Sequence, residues 1–338
     1  MTYTISAPPH KKTKFDFKTL NYSKIIALLP LCLAAIYFFG IPALGIIVVS
    51  VVSAVVTEFA IQSIFKQKVT ITDGHAAMMG LMLALLIPSE APLWIPAFAA
   101  FFSISVGKHV FGGIGSYIFN PVLVGWIFTR SAWSGYMTAA SIPHIGQFSD
   151  LILEHGAGLM VGVSPILLIG GVYLIYKRYI DWRVPLSFFA TMIILPQALL
   201  FISGVMDLVH KGSLNPLMYM SQMFALFSPS PELSYSMIGI VFFGILFMAT
   251  DTATSPVTKK GRIIYGITCG VLVFIYGHFA NYVDGVLYGI FLANCVASFI
   301  EINTMPASFG TMSCAENAYR RVMDKIPSSL KFEVINNE

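Results

Sequence analysis

The chain has 338 residues, of which 57% are apolar and 11% charged. A soluble domain carries about 25% charged residues, so this chain cannot cover a globule of its size with charge, and its mean hydropathy of +0.78 puts apolar side chains against lipid. The net charge of +4 does not mark a nucleic-acid surface: the basic residues sit in short clusters between apolar runs, where they act as topology signals.

The first 24 residues are polar and basic and lack a small-residue cleavage site. They read as a retained cytoplasmic tail rather than a signal peptide. A membrane span takes about 20 apolar residues, fewer where a helix is broken inside the protein. Apolar segments follow near 25–40, 42–63, 75–89, 93–107 and 118–129, and again near 160–176, 184–206, 235–250, 262–278 and 285–300. Pro30, Pro88, Pro121 and Pro196 predict kinks or half-helices within them. With the N-terminus inside, every one of the 20 Lys and Arg residues except Arg130 and Lys211 falls on the inner side. That bias supports both the segment count and the orientation, with both termini cytoplasmic.

Segment one then runs outward and segment six inward, which makes two five-helix halves of inverted topology. The expected organisation is an inner tail over 1–24, a first membrane repeat over 25–130, an outer loop over 131–159, a second repeat over 160–301 and an inner tail over 302–338. MMGLMLALLIPSEAPLWIP in the first half echoes MIGIVFFGILFMATDTATSP in the second, each a Gly-containing apolar run ending in a polar, Pro-terminated break. Inverted repeats of this kind build a ligand site where broken helices meet at mid-membrane.

Several polar groups stand out in chain order. Glu58 is the one carboxylate well inside a segment; charges at membrane depth are costly and face the protein interior, so it is either an ion-pathway residue or the partner of a lysine. Asp73 and His75 read first as turn chemistry before segment three. GKHVFGGIGSYIFNP, residues 107–121, has GGxG spacing without a βαβ context, so it is no dinucleotide fingerprint. It is either a tight turn or an inner loop in which Gly112 and Gly113 admit a ligand beside Lys108, His109 and Asn120. Residues 206–232 form an apolar outer stretch suited to the interface or to another subunit. In FMATDTATSPVTKKGR, Thr250, Asp251, Thr254 and Ser255 gather oxygens that either hold a cation or a flavin polyol or cap a helix. Gly266/Gly270 and Gly285/Gly289 are GxxxG pairs for close helix packing. Cys32, Cys269, Cys295 and Cys314 contain no CxxC pair, and the histidines show no metal-ligand spacing, so no metal centre is expected.

Five ordered stretches carry a resemblance: DGHAAMMGLMLALLIP, GKHVFGGIGSYIFNPVLVG, GGVYLIYKRYIDWRVPLSF, FMATDTATSPVTKKGRIIYG and YVDGVLYGIFLANCVASFIE. Over about residues 20–301 the chain resembles the NqrB/RnfD family, the membrane components that serve as the B subunit of Nqr and the D subunit of Rnf redox pumps. The resemblance implies an all-α, urea-transporter-like inverted repeat in a bacterial cytoplasmic membrane. It also implies partner membrane subunits, flavin-mediated electron transfer and coupling to sodium or protons. Lys108, Gly112, Gly113, Asn120, Thr250, Asp251, Thr254 and Ser255 are then cofactor-binding candidates, with Glu58 and Asp251 on an ion pathway. The other class of function on this scaffold is a transporter or channel for a small polar solute or a flavin.

The sequence departs from the family at the outer flavin-attachment motif. Family members carry FMN on the threonine of an SGAT stretch; here the nearest approach is SGYMT, ending at Thr138, without the upstream acid. Thr252 replaces the usual Pro after Asp251, Ser298 stands where a Pro is usual, and HGAGLMVGVSP lacks an acid near Ser164. The expectation is therefore a noncovalent flavin (FMN or riboflavin) and no covalent FMN. Coexpressed with a flavin transferase and run on a denaturing gel, the protein should show no flavin fluorescence. A fluorescent band abolished by Thr138→Val would show that this loop is flavinylated.

Overall fold

The computed structural model describes residues 16–137, 160–162, 164–211, 239–279 and 282–306. These residues are helical, with no strand among them. In chain order the helices are α1 (Phe17–Phe39), α2 (Ile41–Ile64), α3 (His75–Leu85), α4 (Trp94–Phe102), α5 (Pro121–Ala132), α6 (Ser164–Tyr176) and α7 (Arg183–Lys211). They are followed by α8 (Gly239–Met248), α9 (Lys259–Phe279) and α10 (Tyr282–Thr304). Among the described residues, four stretches are long and apolar enough to cross a membrane: Phe17–Phe39, Ile41–Ile64, Lys259–Gly277 and Asp284–Thr304.

Asp16 starts α1 by accepting the Phe17 N–H at 2.8 Å, so the helix begins ahead of the expected apolar boundary and Lys24 lies inside it. Gly40, at φ +71°, turns the chain into α2, whose Pro42 sits in the first turn where no amide hydrogen is needed. On α2, Ile41, Leu44, Val48, Val52, Val56 and Phe59 are exposed while Ala43, Ile46, Ser50, Ala54, Thr57 and Glu58 are buried. Most of the large apolar side chains therefore face outward and, Ile46 and Ile47 apart, the buried side is small and polar, the reverse of a water-soluble helix and the arrangement a lipid surround favours.

The expected segment at 75–89 is a short helix. At 11 residues α3 is about 16 Å long, half of a ~30 Å hydrocarbon core. Residues 86–93 then turn through Pro88 and Pro92 into α4. Two stretches wind as π-helix: Ser103–His109, which continues α4, and Gly244–Met248, which ends α8. Each closes with an i→i+5 bond, Val110 N–H to Ser105 O and Ala249 N–H to Gly244 O.

Small residues set the interhelical distances. The Ser50 hydroxyl donates to Gly80 O at 2.7 Å, and a Cβ on Gly80 would lie 2.9 Å from Ser50 O and from the Val51 Cα. Gly266 and Gly270 face Val184, Ser187 and Thr191 of α7, and Gly285 and Gly289 face Gly277 and Val273 of α9. Both GxxxG pairs thus pack as the sequence predicts. At the start of α7, Asp181 accepts from Arg183 at 3.0 Å and from Arg262 of α9. Burial alone would raise its pKa, but the Arg183 N–H and the two guanidinium groups outweigh that and hold it below the usual carboxylate range.

Gly125 of α5 meets α4 so closely that a Cβ would press on Ala99 O and come within 2.8 Å of the Ser103 Cβ. Gly125→Ala should lower stability by about 1–3 kcal/mol, the usual cost of overpacking. Val52→Ala on the lipid face should leave it nearly unchanged. Thermal unfolding of the purified variants in detergent distinguishes the two.

Candidate functional site

One end of the bundle gathers the first turns of α1, α3, α5 and α9 and the last turns of α2, α8 and α10. Here two oppositely charged pairs are buried. Lys108 Nζ lies 2.6 Å from Glu58 Oε1, with side chains 1% and 0% exposed. Lys24 Nζ lies 3.4 Å from Asp251 Oδ1, with side chains 1% and 3% exposed. Burying an ion costs several kcal/mol, which is recovered only when the geometry is good and further hydrogen bonds are made.

Those further bonds are present. Tyr117 donates to Asp251 Oδ2 at 2.8 Å, and His75 Nε2 lies 3.4 Å from the Tyr117 hydroxyl. Gln62 Nε2 donates to Glu58 Oε1 at 3.0 Å and to Thr70. Glu58 Oε2 has no partner among the described residues. Asp73 caps α3 by accepting the His75 N–H, and its backbone oxygen accepts from Asn21. Burial raises the Asp73 pKa, partly offset by that amide bond.

The loop 107–121 owes its shape to Gly112, Gly113 and Gly115, at φ +102°, +95° and +85°, a region that side-chain-bearing residues rarely occupy. Gly113 N–H bonds back to Lys108 O, which fixes the loop to the end of the π-helical stretch. Asn120 caps α5 by accepting from Val122 N–H at 3.0 Å and reaches Met248 O at 3.4 Å. With the Asn294 amide turned to satisfy both its ends, its oxygen accepts from Asn120 N–H at 3.1 Å and its nitrogen donates to Tyr265 OH.

The sequence candidates separate by what their polar atoms do. Glu58, Lys108, Asp251 and Asn120 all point into the buried cluster. Lys108 pairs with Glu58 and is the lysine partner that the sequence offered for it. The Thr250 hydroxyl donates to Leu246 O and the Ser255 hydroxyl to Asp251 O, so both serve the backbone of the break after α8. The Thr254 hydroxyl is buried and unpartnered among the described residues. The Pro88 break is not part of this cluster: Ser89–Leu93 line a cleft with Phe38–Ile41 at the opposite bundle end. Lys24 and Tyr117 complete this cluster around Asp251 and were not among the sequence candidates. Lys24 sits in a basic run that reads as a topology signal, and its partner is 227 positions away. Thr138 and residues 212–232 lie outside the described residues.

A bundle of apolar helices that exposes many large apolar side chains and buries oppositely charged pairs is a polytopic membrane protein with an internal polar cluster. The chain belongs to the NQR2, RnfD, RnfE family, whose model matches residues 4–310. It is 46% identical to the D subunit of the ion-translocating oxidoreductase complex of Methanosarcina acetivorans, over 91% of this chain and 98% of the relative. It is 33% identical to the D subunit of the Na(+)-translocating ferredoxin:NAD(+) oxidoreductase complex of Acetobacterium woodii, over 94% and 98%. The proton-translocating counterpart from Clostridium ljungdahlii is 31% identical, over 91% and 96%.

Removing one partner of a buried ion pair costs about 3–5 kcal/mol, because the other charge is left unpaired. Lys24→Met alone and Asp251→Asn alone should each destabilise the protein by that order. The double variant should recover most of the loss. A double-mutant cycle on thermal unfolding in detergent measures the coupling, and additive losses would show that the two groups do not interact.

Proposed function

We propose that the chain is the D-type membrane subunit of an Rnf-type, redox-driven ion-translocating complex, and that its buried charge cluster lies on the ion path. It works with other membrane subunits and is not a catalyst alone. The full-length similarity to D subunits of such complexes favours this reading over a free-standing transporter. The orientation we assign has both termini on the cytoplasmic side of the cytoplasmic membrane, following the basic bias.

We also assign ten segments in two inverted halves, α1–α5 and α6–α10. Support comes from which helices touch. Across the halves, α1 meets α6 and α5 meets α10, as expected where a two-fold axis pairs each element with its own counterpart. Within the halves, α2–α3, α2–α4 and α4–α5 correspond to α7–α8, α7–α9 and α9–α10. Asp251 is thereby held between the halves by Lys24 and Tyr117, and this placement carries the functional reading.

The residues at this site do not fit an isoalloxazine. Lys108, Asn120 and Thr250 are already engaged, and the polar cavity beside them measures about 170 Å³, below the roughly 300 Å³ at which cofactor pockets begin. A noncovalent FMN or riboflavin belongs instead at a surface completed by partner subunits, and no electron-transfer step is assigned to these residues. Their chemistry suits a sodium ion or proton. Each carboxylate is neutralised by a lysine, so an arriving cation must displace that lysine. Occupancy of Asp251 is then coupled to α1 through Lys24, and occupancy of Glu58 to the π-helical stretch through Lys108.

The complex reconstituted in liposomes tests this. The Lys24→Met, Asp251→Asn double variant, in which the buried charge is not left unpaired, should cut electron-driven ion uptake by at least about tenfold, the effect of some 1.4 kcal/mol on a barrier, while assembly of the complex is retained. Full uptake in the double variant would confine Asp251 to a structural role.

A further inference from the structure

The loop into α7 and the start of α9 form a basic rim. Lys177, Arg178, Arg183, Lys259, Lys260 and Arg262 lie within residues 177–183 and 259–262, where Asp181 is the only carboxylate. Arg183 and Arg262 share that carboxylate, so one of their two positive charges is left over, and the exposed Lys259 and Lys260 add to it. Trp182, 54% exposed, stands beside them with the Arg183 guanidinium 5.5 Å from its ring. None of these charges belongs to the buried cluster around Asp251 and Glu58.

An apolar groove opens from this rim between α7 and α9. Trp182 and Arg183 form its mouth, and Leu186, Ala190 and Ile194 of α7 with Ile263 and Ile267 of α9 form its walls. The small side chains of Ala190 and Ala198, alternating with Leu186 and Ile194 along one face of α7, leave the space. Lys259 sits one turn before Ile263 on the same face of α9. The hydroxyls in the groove are bonded to their own helix, Ser187 donating to Arg183 O and Thr191 to Ser187 O, so the walls offer a polar ligand nothing. From Arg183 to Ala198 the groove runs about 22 Å, well into a hydrocarbon core about 30 Å thick. Its volume of about 580 Å³ spread over that length gives a mean section of about 26 Å², the width of one hydrocarbon chain and not of a helix about 10–12 Å across.

We infer that this groove binds an anionic phospholipid, with one acyl chain along α7 and α9 and the phosphate on the rim of Arg183, Arg262 and Lys259. Basic pockets between membrane helices suit anionic headgroups, and a Trp ring sits well at headgroup level. In the orientation assigned above, the lipid belongs to the inner leaflet. A partner's transmembrane helix is the other occupant an apolar groove suits, but the inner flanks of such helices are themselves basic, and this rim repels them. The site is separate from the ion path proposed above and stands whether or not that path is correct.

Trp182 is the probe. The full-length chain in mild detergent is titrated with brominated-chain phospholipids bearing either an anionic glycerol-phosphate or a zwitterionic choline headgroup, and the quenching lost in Trp182→Phe is its signal. The anionic lipid should reach half-quenching at a several-fold lower concentration. Replacing Lys259 and Lys260 by Gln should remove most of that preference, since each basic residue near the headgroups contributes about 1 kcal/mol, a factor of about five. Ala190→Phe fills the groove and should abolish the preference with the unfolding temperature unchanged, because residue 190 is exposed. Val52→Phe, on the lipid face of α2, should behave as the parent. Equal quenching by the two lipids in the parent would reduce the site to ordinary lipid contact and overturn the inference. A preference that survives Ala190→Phe would place the lipid outside the groove, and no quenching by either lipid would show another part of the chain there; both overturn it.

The assembled complex supplies the second readout. After exhaustive detergent washing, mass spectrometry of the bound lipid should find an anionic phospholipid retained by the parent complex and lost from the Ala190→Phe complex. A washed parent complex that holds no anionic lipid while Trp182 is shielded from an aqueous quencher would show a partner subunit in the groove and refute the lipid.

Discussion

Lipid offers no hydrogen bonds and almost no solvation of charge, so each polar group in this bundle has to be answered by another part of the same chain. The Lys24–Asp251 contact shows what that demands. It binds a residue near the start of the chain to one 227 positions later, and it forms only when α1 and the break after α8 are brought side by side. Tyr117 completes the carboxylate from the loop between α4 and α5. Three distant stretches are thus held together by one side chain that nothing in the membrane would otherwise accept.

The rest of the packing serves the same closure. Gly170 approaches Ala27 where α6 meets α1, and Phe119 stacks on Phe291 at 4.4 Å where the loop before α5 meets α10. On the far end, Arg130 of α5 donates to Asp284 of α10 at 2.8 and 3.2 Å. One of only two basic residues expected outside is therefore neutralised by a contact between α5 and α10. A membrane surround keeps such ties few in number: a handful of pairs and many small-residue contacts hold the bundle.

Much of this is legible in the sequence. Low charge and long apolar runs predict helices in lipid, and the GxxxG pairs predict close contacts, which lie between α7 and α9 and between α9 and α10. Asp251 and Asn120 stand out from the local density of oxygens. What stays hidden is pairing at long range. Lys24 resembles every other lysine at the inner boundary until α1 is known to start at Phe17. Pro88 suggests a partner for the break at Asp251, but the residues after it, Ser89–Leu93, line a separate cleft with Phe38, Phe39 and Ile41. The π-helical turns leave no signal either, because an i→i+5 bond changes the register without changing the residue types that favour a helix.

That change of register has a mechanical meaning. A π turn contains one residue more than the α turn it replaces, so Ser103–His109 stores slack in a helix that ends at the Lys108–Glu58 pair. Passing the extra residue along the helix would rotate the stretch it passes over by about 100° and shift it by about 1.5 Å. Lys108 would swing off Glu58 without a single backbone hydrogen bond being lost overall. The seating of Lys108 on Glu58 therefore depends on the winding of Ser103–His109: the same residues wound as α-helix would aim the lysine elsewhere.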